Sequence, residues 1–346
     1  MKHIIGGNPV PPTPQATTIR VDEDAAGQRL DNFLMRHLKG VPKTHVYRII
    51  RSGEVRVNKG RASADARLAA GDTVRLPPLR ISERVAEKAE AMTQAMARGA
   101  PARDFPILFE DEQLLVIDKP AGVAVHGGSG VSFGVIEQLR MARPQAKFLE
   151  LVHRLDRDTS GILLIAKKRS ALTRLQSQFR ERETGKTYLA LVAGHWPANK
   201  KVLDKPLYKY LLPGKDGSAG EGERRVKVVS RDDPNGMPSV TLVKVRETTA
   251  TSFTLLEVTI KTGRTHQIRV HLASEGYPIV GDDKYGDFGL NKKLLQSGPR
   301  PGLKRMFLHA WRLQFNHPAS GERLELLAPL PTELEAFSDH AAPSSS

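Results

Sequence analysis

The segment Leu151-Val152-His153-Arg154-Leu155-Asp156-Arg157-Asp158-Thr159-Ser160-Gly161-Ile162-Leu163-Leu164-Ile165 constrains this chain more than any other. A polar turn is pinned between two apolar runs. The run after Gly161 is much shorter than the ~18 apolar residues of a membrane span, and it is predicted to be a buried strand. The turn before it therefore presents Asp156 at the edge of a core, with Arg154 and Arg157 on either side. An enzyme would place a single ionised carboxylate in such a setting.

At 346 residues the chain is long enough for two domains joined by a linker. No apolar run is long enough to span a membrane, and the first nine residues, Met1 to Pro9, hold no apolar core of signal-peptide length. Cysteine is absent, which removes disulfides, thiolate metal sites and cysteine nucleophiles together, and fits a cytoplasmic location. Fifty-three Lys and Arg against 38 Asp and Glu give a net charge of +15, a field that favours a polyanion as partner.

The location of that charge is informative. Residues 1–18, with Pro9, Pro11, Pro12 and Pro14, read as a disordered leader. Residues 19–79 read as a small module. Leu30, Phe33, Leu34 and Leu38 recur at helical spacing, Gly40 ends that helix and Pro42 opens a second, which buries Val46, Ile49 and Ile50. Alternation at Val55 and Val57, and again over Asp72 to Leu76, predicts half-buried strands. Between residues 36 and 61 stand eight Lys or Arg and a single acid, Glu54. A run of one sign across two helices and a strand points to an RNA-binding face, with Lys43, Arg48, Arg51, Arg56 and Lys59 as its candidates. The stretches Gly27 to Leu34 and Gly53 to Asn58 resemble the S4 RNA-binding domain.

Residues 80–103 are charged and alanine-rich and read as a linker. A second domain is expected over 104–338. Its strands (114–118, 161–167, 187–192, 253–260 and 305–315) outnumber its helices, one carrying Leu172, Leu175 and Phe179 and another over 265–274 burying Ile268 and Leu272. Without βαβ alternation, the fold class expected is α+β with a mixed, mostly antiparallel sheet. Residues 211–223 read as a flexible loop, and 339–346 as a disordered tail.

No phosphate loop or dinucleotide fingerprint is present. The glycines of Val125-His126-Gly127-Gly128-Ser129-Gly130 fit a phosphate cradle or a plain loop equally. His266 and His271 fall ~140° apart on a helix, not on one metal-binding face. Arg154 and Arg157 interleave with His153, Asp156 and Asp158 and oppose a cation there. No metal and no cofactor is expected. Asp156 remains, either as a structural salt bridge or as a carboxylate that a neighbouring guanidinium keeps charged for nucleophilic or basic work.

Five ordered motifs bear on that choice: Lys119-Pro120-x-Gly122; His153-Arg154-Leu155-Asp156-x-x-Thr159-Ser160-Gly161; Lys186-x-Tyr188; Gly263-Arg264-Thr265-His266-Gln267-Ile268-Arg269-Val270-His271; and Gly281-Asp282-x-Lys284-Tyr285-Gly286. Together they resemble the catalytic domain of the RluA-type pseudouridine synthases over nearly the whole second domain. The S4-like module, with Lys39-Gly40-Val41-Pro42-Lys43 and Ala124-Val125-His126-Gly127-Gly128, sharpens the resemblance to the RluC group of that family, which acts at three sites in large-subunit (23S) ribosomal RNA. The resemblance implies a catalytic Asp156, a Tyr188 that stacks on the target base, and an Arg269 paired with Asp156. It further implies that Arg154 fills the base stack after the uridine leaves, and that Ile268 and Leu164 wall the uracil pocket. It also implies a monomer acting on 23S ribosomal RNA or a large-subunit precursor, without membrane or nucleotide cofactor. A non-catalytic RNA clamp would need none of Asp156, Tyr188 and Arg269, and a metal-dependent nuclease would lose its activity to a chelator.

Overall fold

The computed structural model describes residues 16–38, 41, 43–78, 105–127, 133–212, 223–248, 252–295 and 302–341. Residues 1–15 of the expected leader, Lys39, Gly40 and Pro42, the expected linker 80–103, Gly128 to Gly130, and the last five residues lie outside that set. The chain divides into two compact units, residues 1–100 and 101–346. No helix among the described residues is long and apolar enough to cross a membrane.

The first unit holds β1 (Thr17–Arg20), α1 (Leu30–His37), α2 (Lys43–Arg51), β2 (Arg56–Val57) and β3 (Thr73–Leu76). The strands form an antiparallel sheet in the order β1-β3-β2. The leader expected to run to residue 18 is therefore shorter, because Thr17 and Thr18 pair with Leu76 and Arg75. Leu30, Phe33 and Leu34 of α1 and Val46, Ile49 and Ile50 of α2 close one core with Val55 and Val74. The apolar spacing of both helices thus has a common physical cause, a single buried seam.

The second unit is built on a ten-stranded sheet. Its strands are β4 (Ile107–Glu110), β5 (Leu114–Lys119), β6 (Glu150–Leu151), β7 (Ser160–Ala166), β8 (Gly185–Ala193), β9 (Val202–Asp204), β12 (Val240–Thr248), β13 (Phe253–Ile260), β14 (Leu308–Asn316) and β15 (Arg323–Leu327). The main path runs β4-β5-β7-β14-β8-β13-β12-β9, with β15 beside β14 and β6 beside β7. A separate hairpin pairs β10 (Leu207–Leu211) with β11 (Arg224–Val228). Its strands flank the loop expected at 211–223, with Leu211 paired to Arg224, and residues 213–222 of that loop lie outside the described residues. The helices are α3 (Val135–Ala142), α4 (Arg169–Glu181), α5 (Gln267–Ser274), α6 (Phe288–Leu295) and α7 (Thr332–Ala341). The last runs past the boundary expected at 338.

The pairings are antiparallel except where β7 meets β14, at His309 with Ser160 and Ala310 with Gly161. That joint lies next to the Asp156 turn, which leads straight into it. Gly161 has φ 111°, and a Cβ there would lie 2.3 Å from the Ala310 carbonyl oxygen. Only glycine lets the two strands close. The expected buried strand is confirmed, since every residue of β7 is buried. Leu172 and Leu175 of α4 cover it on one side. Val135, Ile136 and Leu139 of α3 pack in the core that holds Leu163 and Ile165.

Candidate active site

Asp156 lies on the turn between β6 and β7, and the turn is held at several points. Asp156 O accepts from Thr159 N at 3.2 Å. Lys119, fully buried at the end of β5, donates its Nζ to the carbonyls of Pro120, Val123 and Arg157 at 2.8, 2.9 and 3.0 Å. Burial pulls that amine down to about 7. The Lys119-Pro120-x-Gly122 motif is thus the bracket that anchors the Asp156 turn. On the other side, His153 Nε2 accepts the Leu164 N–H at 3.1 Å, and the ring stacks on Phe179 with centroids 4.9 Å apart. Burial pushes His153 down to about 4, so it serves as a neutral acceptor in the scaffold.

A second arm arrives from residues 262–269. Gln267, 3 % exposed, ties this turn together. Its Oε1 accepts from Thr262 Oγ1 at 2.7 Å and Arg264 N at 3.1 Å, and its Nε2 donates to Val240 O and Thr241 Oγ1. His266 then takes a left-handed conformation, φ 53°, and α5 starts behind it. One turn later Arg269 aims Nη1 at Asp156 Oδ2, 3.5 Å away. His271 points elsewhere, bonded to Thr241 Oγ1 and Lys205 O, so the two histidines are indeed separated.

The partner expected for Arg269 is only part of its environment. Its Nε and Nη2 grip Asp282 at 2.7 and 2.6 Å, and Nη2 also reaches Asp283 at 3.2 Å. The guanidinium carbon stands 5.2 Å from the centre of the Tyr285 ring. Asp282 is fully buried and also accepts the N–H groups of Lys284 and Tyr285. Burial alone would raise its carboxyl, but the Arg269 hydrogen bonds and charge outweigh that and hold it below the ordinary range. The same contacts outweigh burial at Arg269 and raise it further.

Tyr188 enters from β8. Burial, and then the Asp156 charge, raise its phenol, which keeps the hydroxyl protonated at neutral pH. Asp156, Tyr188 and His266 line a cleft of about 930 Å³ and a recess of about 90 Å³ that opens off it. Around the cleft stand Arg154, Lys186, Lys209, Arg224, Arg264 and Lys284, with Asp156 the sole carboxylate of its lining among the described residues. Arg154 is exposed and has no ion-pair partner among the described residues. A cleft of this charge suits a phosphate backbone.

The structure brings together Asp156, Tyr188, Arg269, Arg154 and Ile268, all of which line the recess. Leu164 does not join them. It is fully buried among Leu114, Val116 and Ile162, on the face of β7 that packs under α4. The period of two along a strand sends alternate side chains to opposite faces, and the turn preceding β7 gave no sign of which face the cleft uses. Leu155, Ile260 and Leu308 supply the apolar wall instead. The glycine run after Val125 is not a free anion cradle at its described end, since Gly127 N donates to the Glu137 carboxylate at 3.1 Å. Sequence reasoning assigned no role to Asp282, Gln267 or His266, although all three stand inside motifs it had singled out.

In the first unit, Arg48 and Arg51 are exposed on α2, Arg56 is half-buried on β2 and Lys59 is exposed beyond it, while the side chain of Lys43 is outside the described set. Arg48 meets Glu54 at 3.5 Å across an exposed gap. The register sets Arg56 directly opposite Arg75, a like-charge cross-strand pair that an anionic partner would relieve.

Comparison with known proteins agrees with this architecture. Residues 113–274 match the model of the RNA pseudouridylate synthase family, and residues 28–74 match the S4 domain. The chain is 50 % identical over 323 residues to the ribosomal large subunit pseudouridine synthase C of Salmonella typhimurium, covering 93 % of this chain and 96 % of that protein. It is 51 % identical over 318 residues to the protein of the same name from Escherichia coli K12, covering 92 % and 94 %. Human RNA pseudouridylate synthase domain containing 4 superposes with a TM-score of 0.54 at 27 % identity, over 74 % of this chain and 97 % of that structure. On these grounds, the chain belongs to the RNA pseudouridylate synthase family and carries an S4 domain ahead of the catalytic one.

Proposed function

We propose that this protein isomerises uridines of 23S ribosomal RNA to pseudouridine, at three sites as the resemblance of its motifs to the RluC group implies. In this reading it works as a cytoplasmic monomer on the RNA or a large-subunit precursor, without nucleotide cofactor or metal. The observation that carries it is a lone carboxylate, Asp156, backed by Arg269 and facing Tyr188 in a cleft otherwise ringed by cations.

The target nucleotide leaves its stack at a cost of a few kcal/mol. Stacking of the base on Tyr188 returns about 1–3 kcal/mol, and the unpaired Arg154 fills the vacancy. Asp156 then breaks the bond from C1′ to N1, either by adding to C1′ or by removing a ribose proton. Both routes use the Asp156 carboxylate, and the Arg269 guanidinium stands 3.5 Å from it. The uracil turns and C5 bonds to C1′ while the Asp156–C1′ bond breaks or, on the other route, the ribose proton is returned; the C5 proton then leaves and N1 takes up a proton. The sum is an isomerisation, with no electrons gained or lost overall.

The test is Asp156→Asn. Pseudouridine formation is expected to be abolished while RNA binding persists, and mapping of pseudouridines in ribosomal RNA with and without the protein gives the target sites. Substantial turnover by the variant would overturn the assignment of Asp156.

A further inference from the structure

Among the described residues that line the cleft, His266 alone has a left-handed non-glycine backbone, φ 53°. Side chains rarely adopt that region, and it is retained where a function needs it. Its imidazole is fixed at one end. Nδ1 lies 2.9 Å from the Tyr285 hydroxyl, and that oxygen accepts the Val226 N–H at 3.0 Å. The phenol's own hydrogen has no other acceptor among the described residues, so it is donated to Nδ1. The neutral ring is thereby held with its proton on Nε2. Burial is the main force lowering the imidazole, helped by the charges of Arg269 and Lys284 against the pull of Asp156 and Asp282.

The free end is the unusual one. Nε2 stands 3.9 Å from Asp156 Oδ2, beyond hydrogen-bond reach, in a side chain only 14 % exposed. A largely buried N–H therefore faces the recess shared with Asp156, Tyr188 and Ile268 without a protein acceptor among the described residues. Arg269, beside it in the recess, is already committed to Asp282, Asp283 and Asp156.

We infer that His266 Nε2–H is a hydrogen-bond donor to a carbonyl oxygen of the target uracil, with Tyr285 setting the tautomer. The inference rests on the uridine-isomerisation reading. When the bond to C1′ breaks, its electron pair stays on the base, and the charge spreads onto the carbonyl oxygens. A fixed donor in a recess with little water binds that charge more tightly than it binds the neutral base, which lowers the barrier.

The experiment compares His266→Gly, His266→Asn and Tyr285→Phe in the full chain, using RNA labelled with tritium at uridine C5 and nitrogen-15 spectra of the histidines. Glycine relaxes the left-handed backbone, so a loss there is not one of folding. We expect kcat to fall about 100-fold in His266→Gly with RNA affinity unchanged. Asparagine tolerates the same backbone and offers an amide donor, and is expected to recover most of that loss. Tyr285→Phe is expected to move part of the His266 proton from Nε2 to Nδ1. A glycine variant that turns over as fast as the wild type, or a wild-type spectrum with the proton on Nδ1, would overturn this inference alone. A wild-type protein that releases no tritium would overturn the isomerase reading and the inference with it.

Discussion

Asp282 grips Arg269 through two short hydrogen bonds, Nε to Oδ2 at 2.7 Å and Nη2 to Oδ1 at 2.6 Å, and so leaves Nη1 directed at Asp156. The geometry is a planar fork meeting a planar carboxylate, which fixes direction as well as charge. Asp282 is itself fixed by the N–H groups of Lys284 and Tyr285 at 2.8 and 3.0 Å. Asp156 thus faces an arginine that cannot swing to meet it, and the longer 3.5 Å contact leaves its carboxylate open to the cleft.

Replacement of Asp282 by Asn tests that chain of support. The amide keeps the shape and loses the charge, so Arg269 is free to close on Asp156. Turnover is expected to fall about 10–100-fold with little change in RNA affinity. Losing one partner of a buried ion pair costs about 3–5 kcal/mol, to be read from urea unfolding followed by Trp196 and Trp311, the two tryptophans of the chain, both in the catalytic unit. Wild-type turnover in a destabilised Asp282→Asn protein would show that Asp282 supports the fold only.

Glycine 161 offers a test of the joint beneath the site. Gly161→Ala places a Cβ 2.3 Å from the Ala310 carbonyl oxygen, and neither strand can yield without parting β7 from β14. The loss is expected to be at least about 3 kcal/mol. Gly122→Ala is the control. Its φ of 81° is equally foreign to alanine, but nothing lies within 4 Å of the new Cβ, so only the backbone strain of about 1–2 kcal/mol is expected. Equal losses in the two variants, by the same urea midpoints, would place the cost in backbone conformation and not in the strand joint.

Much of this was legible because it depends on local pattern. The buried run 162–165 had to be a strand, and helical spacing in 30–38 and 46–50 had to make a seam. Asp156 stood out because few residues of its type sit between cations at the rim of an apolar run. What stayed hidden depends on contacts across the chain. Arg269 and Asp282 are separated by 13 residues, and Lys119 and Arg157 by 38, and neither distance follows from spacing. Helix α5 is buried at six successive positions, polar and apolar together, so its periodicity could not show which residues meet the substrate. Leu164 was misplaced for a similar reason, since both faces of β7 are covered and hydrophobicity does not mark which one the cleft uses.

The basic face of the first unit should appear in the salt dependence of RNA binding. Arg48 and Arg51 are exposed on α2, and Arg56 faces Arg75 across the sheet with no acid between them in the register. Each lost phosphate contact lowers the slope of log K against log salt by about 0.7–0.9. Changing Arg48, Arg51 and Arg56 together to Gln is expected to weaken RNA binding and reduce the slope by about 2. An unchanged slope would mean that this face does not touch RNA.

Acid should destabilise the catalytic unit through its buried histidines. Burial is the main cause that holds His153 and His309 at about 4, below the ordinary 6.5. The unfolded chain therefore binds two protons between pH 6.5 and 4 that the folded state refuses. Stability is fully present above pH 6.5 and falls as pH drops towards 4, by about 3 kcal/mol for each histidine. Asp118 opposes this. Burial pushes it up to about 6, so the folded state takes a proton there that the unfolded state takes only near 3.8, offsetting about one histidine. His266 and His271, lowered mainly by burial, add to the fall. A net loss of at least about 3 kcal/mol across that window is expected in urea unfolding read through tryptophan fluorescence. The double variant His153→Gln, His309→Asn keeps an acceptor for the Leu164 N–H and a polar partner for Ser160 Oγ, now 3.1 and 2.8 Å from the two rings, and cannot titrate. It should flatten most of the slope between pH 6.5 and 4. A slope that survives both replacements would assign the acid sensitivity to other groups.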